Sequence, residues 1–189
     1  MYVSNRDTWS GCTGTLVASK YVITAAHCVD DGDTGGRSKP AKQVIVSVGE
    51  HDKTKRGETN LPEKQVKVKR ITLHHGYNRR GVSNDIAILE LKEEVDLETY
   101  TPACLARRSD VNTFYGKTAT IAGWGLIDLQ GTPTKVPHEV QVPVSKCNWG
   151  APDVICAGGN GKSSNKVSIP SYSSLLSNQH FEAGIWMHF

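Results

Sequence analysis

Thr24-Ala25-Ala26-His27-Cys28 follows directly on the apolar run Tyr21-Val22-Ile23, with Cys12 upstream, and the reading of the chain turns on this stretch. The small residues before His27 would let it lie close against neighbouring backbone. A Cys12–Cys28 bridge would fix the base of the segment that holds His27, and closing so short a loop would stabilise by about 3 kcal/mol on a chain-entropy estimate. A histidine is the natural general base near neutral pH, because its unperturbed pKa is about 6.5. By itself, however, a histidine is more often a structural residue than a catalytic one.

Working outward, the next informative segment is Asn84-Asp85-Ile86-Ala87-Ile88-Leu89, in which an acid opens an apolar strand. An Asp at a strand mouth is commonly a turn former. Its sharper role would be to accept a hydrogen bond from an imidazole, setting the tautomer and stabilising the imidazolium. Spacing alone does not choose between these readings.

The combination does. Cys12, Thr24 to Cys28, Asn84 to Leu91 and Gly123-Trp124-Gly125 occur in this order, and together they resemble the chymotrypsin/trypsin family of serine proteases. His75-Gly76-Tyr77-Asn78 resembles the family's stretch shortly before the acid, and Ile155-Cys156-Ala157-Gly158-Gly159 its segment shortly before the nucleophile. Val3 and the residues after it resemble the strand some way past the activation cleavage site. The likeness covers roughly residues 2 to 159.

The resemblance implies an all-β fold: a double antiparallel β-barrel of the trypsin-like type, with the first barrel largely present and the second truncated. It implies that His27 is the general base and Asp85 its orienter. It implies bridges Cys12–Cys28 and Cys147–Cys156, and it makes Cys104 the cysteine that ties such a domain to a propeptide or light chain. That accounts for the odd total of five cysteines. The substrates of a complete member would be polypeptides.

The likeness fails at the nucleophile. In the family a Gly-Asp-Ser-Gly-Gly turn follows the Cys-Ala-Gly-Gly segment after about a dozen residues, and its backbone N–H groups form the oxyanion hole. Here Ser168 lies near the expected place, but Ile169 and Pro170 follow it, and Pro170 has no N–H to donate. Ser163 falls near the position that sets side-chain preference only if the alignment holds. The activation sequence, the last strands and the C-terminal helix of the family are also missing. Removing a triad member leaves roughly 10³–10⁴-fold enhancement over water, and that remainder needs an intact oxyanion hole. The expectation is a chain that does not cleave peptides by itself. The alternative is a non-catalytic serine protease homologue that serves as a binding scaffold or cofactor for active proteases.

Composition sets the outer limits. The 189 residues are 22% charged and 38% hydrophobic with a formal charge of +3, ordinary for a globular protein. Lys64 to Arg70 alternates charge with Val66 and Val68, which reads as a strand with a solvated basic face; no nucleic-acid partner is expected. No stretch approaches the ~18 consecutive apolar residues of a membrane span, and Met1 to Ser10 does not read as a signal peptide. Bridged cysteines imply an oxidising compartment, so the complete product is expected to be secreted. Glu50-His51-Asp52, with Glu58 and Glu63, resembles the calcium loop of some family members. Lys53, Lys55 and Arg56 intrude among the acids, so a solvated loop is the reading, with no metal and no cofactor.

Apolar runs between turn signals predict strands at Thr15 to Ala18, Tyr21 to Ala25, Val44 to Val48, Ile86 to Leu91, Thr118 to Ala122, Val140 to Val144 and Val154 to Ala157, with a brief helical turn at Ala25 to Val29. Within the family-like domain at 1–159, residues 1–100 are assigned to the first barrel, 101–117 to a connection and 118–159 to part of the second barrel. Residues 160–189 carry seven serines against eight in the 159 before them, and they lose both charge and strand pattern. They are read as a disordered tail foreign to the family.

Overall fold

The computed structural model describes residues 2–5, 8–32, 36–55, 57, 61–81, 83–125, 132, 134–146, 155–158 and 186–188. The described residues are mostly β, with no long helix, as the trypsin-like fold class requires. The chain divides into two compact units, Met1–Leu105 and Ala106–Phe189.

The first unit holds β1 (Tyr2–Asn5), β2 (Thr8–Thr13), β3 (Thr15–Ala18), β4 (Tyr21–Thr24), β5 (Val44–Val48), β6 (Lys64–Leu73) and β7 (Ala87–Leu91). They pair antiparallel in the order β2-β1-β5-β6-β7-β4-β3. The two edge strands, β2 and β3, are separated in sequence by Gly14 alone. A flat sheet of seven strands would hold its edges about 29 Å apart, six gaps of about 4.8 Å. A single intervening residue reaches only about 7 Å. The sheet must therefore curl, bringing the end of β2 to the start of β3, into a half-barrel.

Alternation along the strands fills that half-barrel. In β6, Val66 and Val68 are buried while Lys67, Lys69 and Arg70 face out. In β7, Ala87 and Leu89 point inward and Ile88 outward. Val22, Val46, Val48, Val66, Val68, Leu89 and Leu91 are at most 1% exposed and form one cluster. Each such side chain contributes about 1.5–3 kcal/mol by burial. The rim pairs Lys20–Glu94 and Lys64–Glu93 are exposed and contribute about 0–1 kcal/mol each. The interior, not the rim, holds this unit together. Gly49 shows how closely the loops press on it. Its φ is +72°, and a Cβ there would stand 2.6 Å from the Pro62 carbonyl oxygen.

The second unit carries β8 (Thr118–Gly123), β9 (His138–Lys146), β10 (Ile155–Ala157) and β11 (Trp186–His188) in the order β10-β9-β8-β11. Ala119, Ile121, Val142 and Val144 are its buried inward row. Two findings differ from the sequence reading. Within the segment read as a plain connection, a 3₁₀ turn at Arg108–Asp110 runs into the helix Val111–Phe114. Elements of three and four residues are too short to show a 3.6-residue period. The second difference lies in the tail read as disordered, where β11 adds to β8 with Met187 opposite Ile121. An open strand edge presents unpaired N–H and C=O groups that any extended segment can join, whatever its composition. Residues 159–185 lie outside the described residues.

Candidate active site

His27 sits on the single helical turn α1 (Ala26–Val29), which begins immediately beyond the end of β4. Ala25 and Ala26 are 8% and 0% exposed, so the turn lies tight against the barrel, as small residues permit. Ala25 stands at the N-cap and has no side chain with which to cap. The first N–H groups of a helix need acceptors, and here a residue distant in sequence supplies one. Asp85 Oδ1 accepts from the His27 backbone N–H at 2.9 Å, and Asp85 Oδ2 lies 2.6 Å from His27 Nδ1. One carboxylate therefore caps the turn and grips the ring that the turn carries.

Asp85 is itself held in an unusual backbone. Asn84 has φ +52°, the one non-glycine positive φ among the described residues. Its side-chain Nδ2 donates to the Gly76 carbonyl at 2.9 Å. The Ile86 N–H then donates to the Asn84 carbonyl at 2.8 Å, which closes a tight turn centred on Asp85. Asn tolerates the left-handed region better than other residues with a Cβ. The Asn in Asn84-Asp85 thus aims the carboxylate that follows it.

Electrostatics follow the geometry. Burial pushes the Asp85 carboxyl up, but the hydrogen bonds from the His27 ring, the His27 backbone and the Ala26 backbone, with the His27 charge, outweigh it and hold it below the ordinary Asp value. Facing an ionised carboxylate, Nδ1 carries the ring proton, which leaves the Nε2 lone pair to accept another. Nε2 lies 3.6 Å from Cys28 Sγ, a bridged sulfur with no proton to give. Both side chains are about one-fifth exposed, 21% for His27 and 20% for Asp85, so a reacting group can reach the ring.

Cys28 is bonded to Cys12, with Cα atoms 6.1 Å apart, which staples α1 to β2. Beside the bridge, Thr24 Oγ1 donates to the Thr13 carbonyl at 3.1 Å in a buried setting. Cys156 is disulfide-bonded; Cys147, its expected partner, lies outside the described residues, as do Ser163 and Ser168. Cys104 is a free, exposed thiol. Around the loop that resembles a calcium site, Asp52 accepts from the Thr54 N–H at 2.9 Å and the Thr54 hydroxyl at 2.6 Å, and pairs with Lys55 at 3.3 Å. These donors, led by the Thr54 hydroxyl, lower the Asp52 carboxyl from its ordinary value. Glu58 and Arg56 lie outside the described residues. Cys12, His27 and Cys28 come together within ligand distance of one another, but two of these three are spent on the disulfide.

Sequence reasoning missed Asp30. It follows α1 directly and is 2% exposed. It pairs with Arg79 Nη1 and accepts from the Tyr77 hydroxyl at 2.8 Å. A carboxylate bound by a partner 49 positions away leaves no periodic signal.

The histidine is thus held through Nδ1 by a carboxylate, beside a bridged cysteine, at the end of β4 in the antiparallel sheet. The sequence matches the Trypsin family over residues 1–167, and the chain belongs to that family. It is 34% identical over 144 residues to coagulation factor IX of Cavia porcellus, an alignment covering 74% of this chain and 46% of that protein. It is 35% identical over 148 residues to serine protease filzig of Drosophila melanogaster, covering 73% of this chain and 8% of the relative. Chymotrypsin-like elastase family member 1 of Canis lupus familiaris is 30% identical over 172 residues, at 85% and 62% coverage. The chain thus spans between 8% and 62% of the length of these relatives. No helix among the described residues is long and apolar enough to cross a membrane.

Proposed function

We propose that this chain carries the base and orienter of a secreted trypsin-like serine endopeptidase, and that by itself it does not hydrolyse peptide bonds. The observation that carries the reading is the double hydrogen bond from His27 to Asp85. In a complete protein, His27 Nε2 would take the proton from a serine hydroxyl as it attacks the scissile carbonyl, and would return it to the leaving amine. Asp85 would keep the proton on Nδ1 and stabilise the imidazolium. The substrates would be polypeptides.

Inactivity of the chain rests on residues 160–189, where no Gly-Asp-Ser-Gly-Gly turn occurs. A base without a nucleophile and its oxyanion donors has nothing to activate. The Cys12–Cys28 bridge supports an oxidising, extracellular setting. The free, exposed Cys104 thiol is compatible with a bridge to a propeptide or light chain.

The experiment is stoichiometric labelling of the purified chain with a fluorophosphonate, alongside assay of a chromogenic peptide ester. No labelling and no turnover are expected. One label per chain would overturn the inactive reading.

The missing turn equally favours a second reading, a non-catalytic homologue that binds active proteases as scaffold or cofactor. Sequencing transcripts across the codons from Gly158 to Ile169 separates the two. Reads that run into Gly-Asp-Ser-Gly-Gly mean an enzyme, and a replaced serine means a homologue.

A further inference from the structure

The mechanism above leaves one buried carboxylate unused. Asp30 is 2% exposed and lies immediately after α1, three positions past His27. Its N–H donates to the Ala26 carbonyl at 2.9 Å, which closes the same helical turn. Both oxygens of its side chain are bound by the loop between β6 and β7. Arg79 Nη1 pairs with Oδ1, and the Tyr77 hydroxyl donates to Oδ2 at 2.8 Å. Asp85 lies near the end of that loop, two positions before β7.

Two chain segments are therefore joined twice. The segment 26–30 and the loop 74–85 meet at His27–Asp85, and they meet again at Asp30–Tyr77–Arg79. The second junction is the better anchored. Tyr77 packs against the core cluster, and Asn78 closes the loop tip by a paired bridge to Ser83 and by accepting from the Arg80 and Gly81 N–H groups. The first junction is one-fifth exposed and rests on the αL turn at Asn84.

We propose that Arg79 and Tyr77, acting through Asp30, are positioning residues for the His27–Asp85 couple. They fix the height of the loop over α1, so that the Asp85 carboxylate arrives opposite both nitrogens of His27. They tie the loop to α1 by bonds that the reaction itself does not use. Arg79 also cancels the Asp30 charge, leaving Asp85 as the carboxylate addressed by the imidazole. The surroundings agree with this placement. Burial, then the hydrogen bond from Tyr77 to Asp30 and the charges of Asp30 and Asp85, push the Tyr77 hydroxyl well above its ordinary value, so it remains a donor. The Arg79 guanidinium is likewise raised, first by its bond to Asp30 and in part by Asp85. Both groups thus sense the Asp85 charge as well as that of Asp30.

This inference rests on the reading of His27 and Asp85 as the catalytic couple, but its test does not require activity. The reporter is the exchange rate of the His27 amide proton, which is protected by Asp85 Oδ1. In Arg79→Gln of the full chain, that proton is expected to exchange at least about tenfold faster, while amides of the β5–β6 ladder keep their protection. Arg79→Lys, which keeps the charge, is expected to recover most of the protection. Tyr77→Phe, which keeps the ring in the core and removes only the hydroxyl, is expected to shift the His27 amide in the same direction, and it carries the test if Arg79→Gln does not fold. An unchanged His27 amide overturns the proposal. Equal acceleration at His27 and across the β5–β6 ladder also overturns it, because the cluster would then be a general stability element. Fluorophosphonate labelling bears on the protease reading and leaves this exchange pattern as it is, so the two can fail separately.

Discussion

Replacing Asp85 by asparagine changes little in size and reverses the chemistry of the site. The carboxylate accepts two hydrogen bonds from His27, at 2.9 Å from the backbone and 2.6 Å from Nδ1. An asparagine keeps one oxygen, which can still accept from the backbone N–H. Its other arm is an NH₂ group, which must donate to Nδ1. Nδ1 then becomes an acceptor and the ring proton moves to Nε2. Each bond passes from the charged class, about 1.5–3 kcal/mol, to the neutral class, about 0.5–1.5 kcal/mol. With two bonds at a site only 20% exposed, the expected loss of stability is about 2 kcal/mol. Urea unfolding at neutral pH reads the stability, and ¹⁵N chemical shifts of the His27 ring read the tautomer. In a complete, active member carrying the same change, the proton on Nε2 removes the base, and kcat is expected to fall by about 10⁴. A ring that stays protonated on Nδ1, with stability unchanged, would refute the claim that Asp85 sets the tautomer.

Removing the Cys12–Cys28 bridge by a double serine substitution opens a loop of separation 16, and a loss of about 3 kcal/mol is expected in urea unfolding of the first unit. Asn84→Ala places a methyl side chain at φ +52° and deletes the bond to Gly76, so a cost of about 1–2 kcal/mol is expected, with Asn84→Gly clearly milder; thermal melts of the two variants give the ranking. The folded chain holds the Asp85, Asp52, Glu90 and Asp96 carboxyls below their ordinary values. In acid the unfolded chain therefore binds more protons than the folded one, and stability is complete above the ordinary carboxylate range and lost as pH falls through it. Urea midpoints measured from about pH 6 down to about pH 2 are expected to fall steadily, with a shallower slope in Asp85→Asn.

Much of the first barrel was legible because its signals are local. Val44 to Val48 and Thr15 to Ala18 are strands with the predicted bounds, since β-branched runs between turn residues report a pleated, half-buried surface without outside help. The alternation from Lys64 to Arg70 likewise marked β6 and the face it buries. Less was legible in the second unit. The turn and helix from Arg108 to Phe114 are too short to carry a period. The Trp186–His188 strand owes its place to the open edge of β8, which lies some 60 residues away and outside any sequence window.

At the site, sequence alone determined which chemistry-bearing residues were available: a histidine behind small residues and next to a cysteine, and an acid at the mouth of a strand. Those are facts of composition and order, and they identify a family. Tertiary structure decided what the residues do to one another. It made Asp85 both the cap of α1 and the partner of Nδ1, across 58 positions of chain. It made Asp30 a buried ion rather than a loop acid, and it gave Asn84 a left-handed backbone that aims its neighbour. The reason is physical. A hydrogen bond or ion pair depends on distances of about 3 Å between groups. Pairing of β4 with β7, with Thr24 opposite Ala87, brings the segments that carry His27 and Asp85 that near.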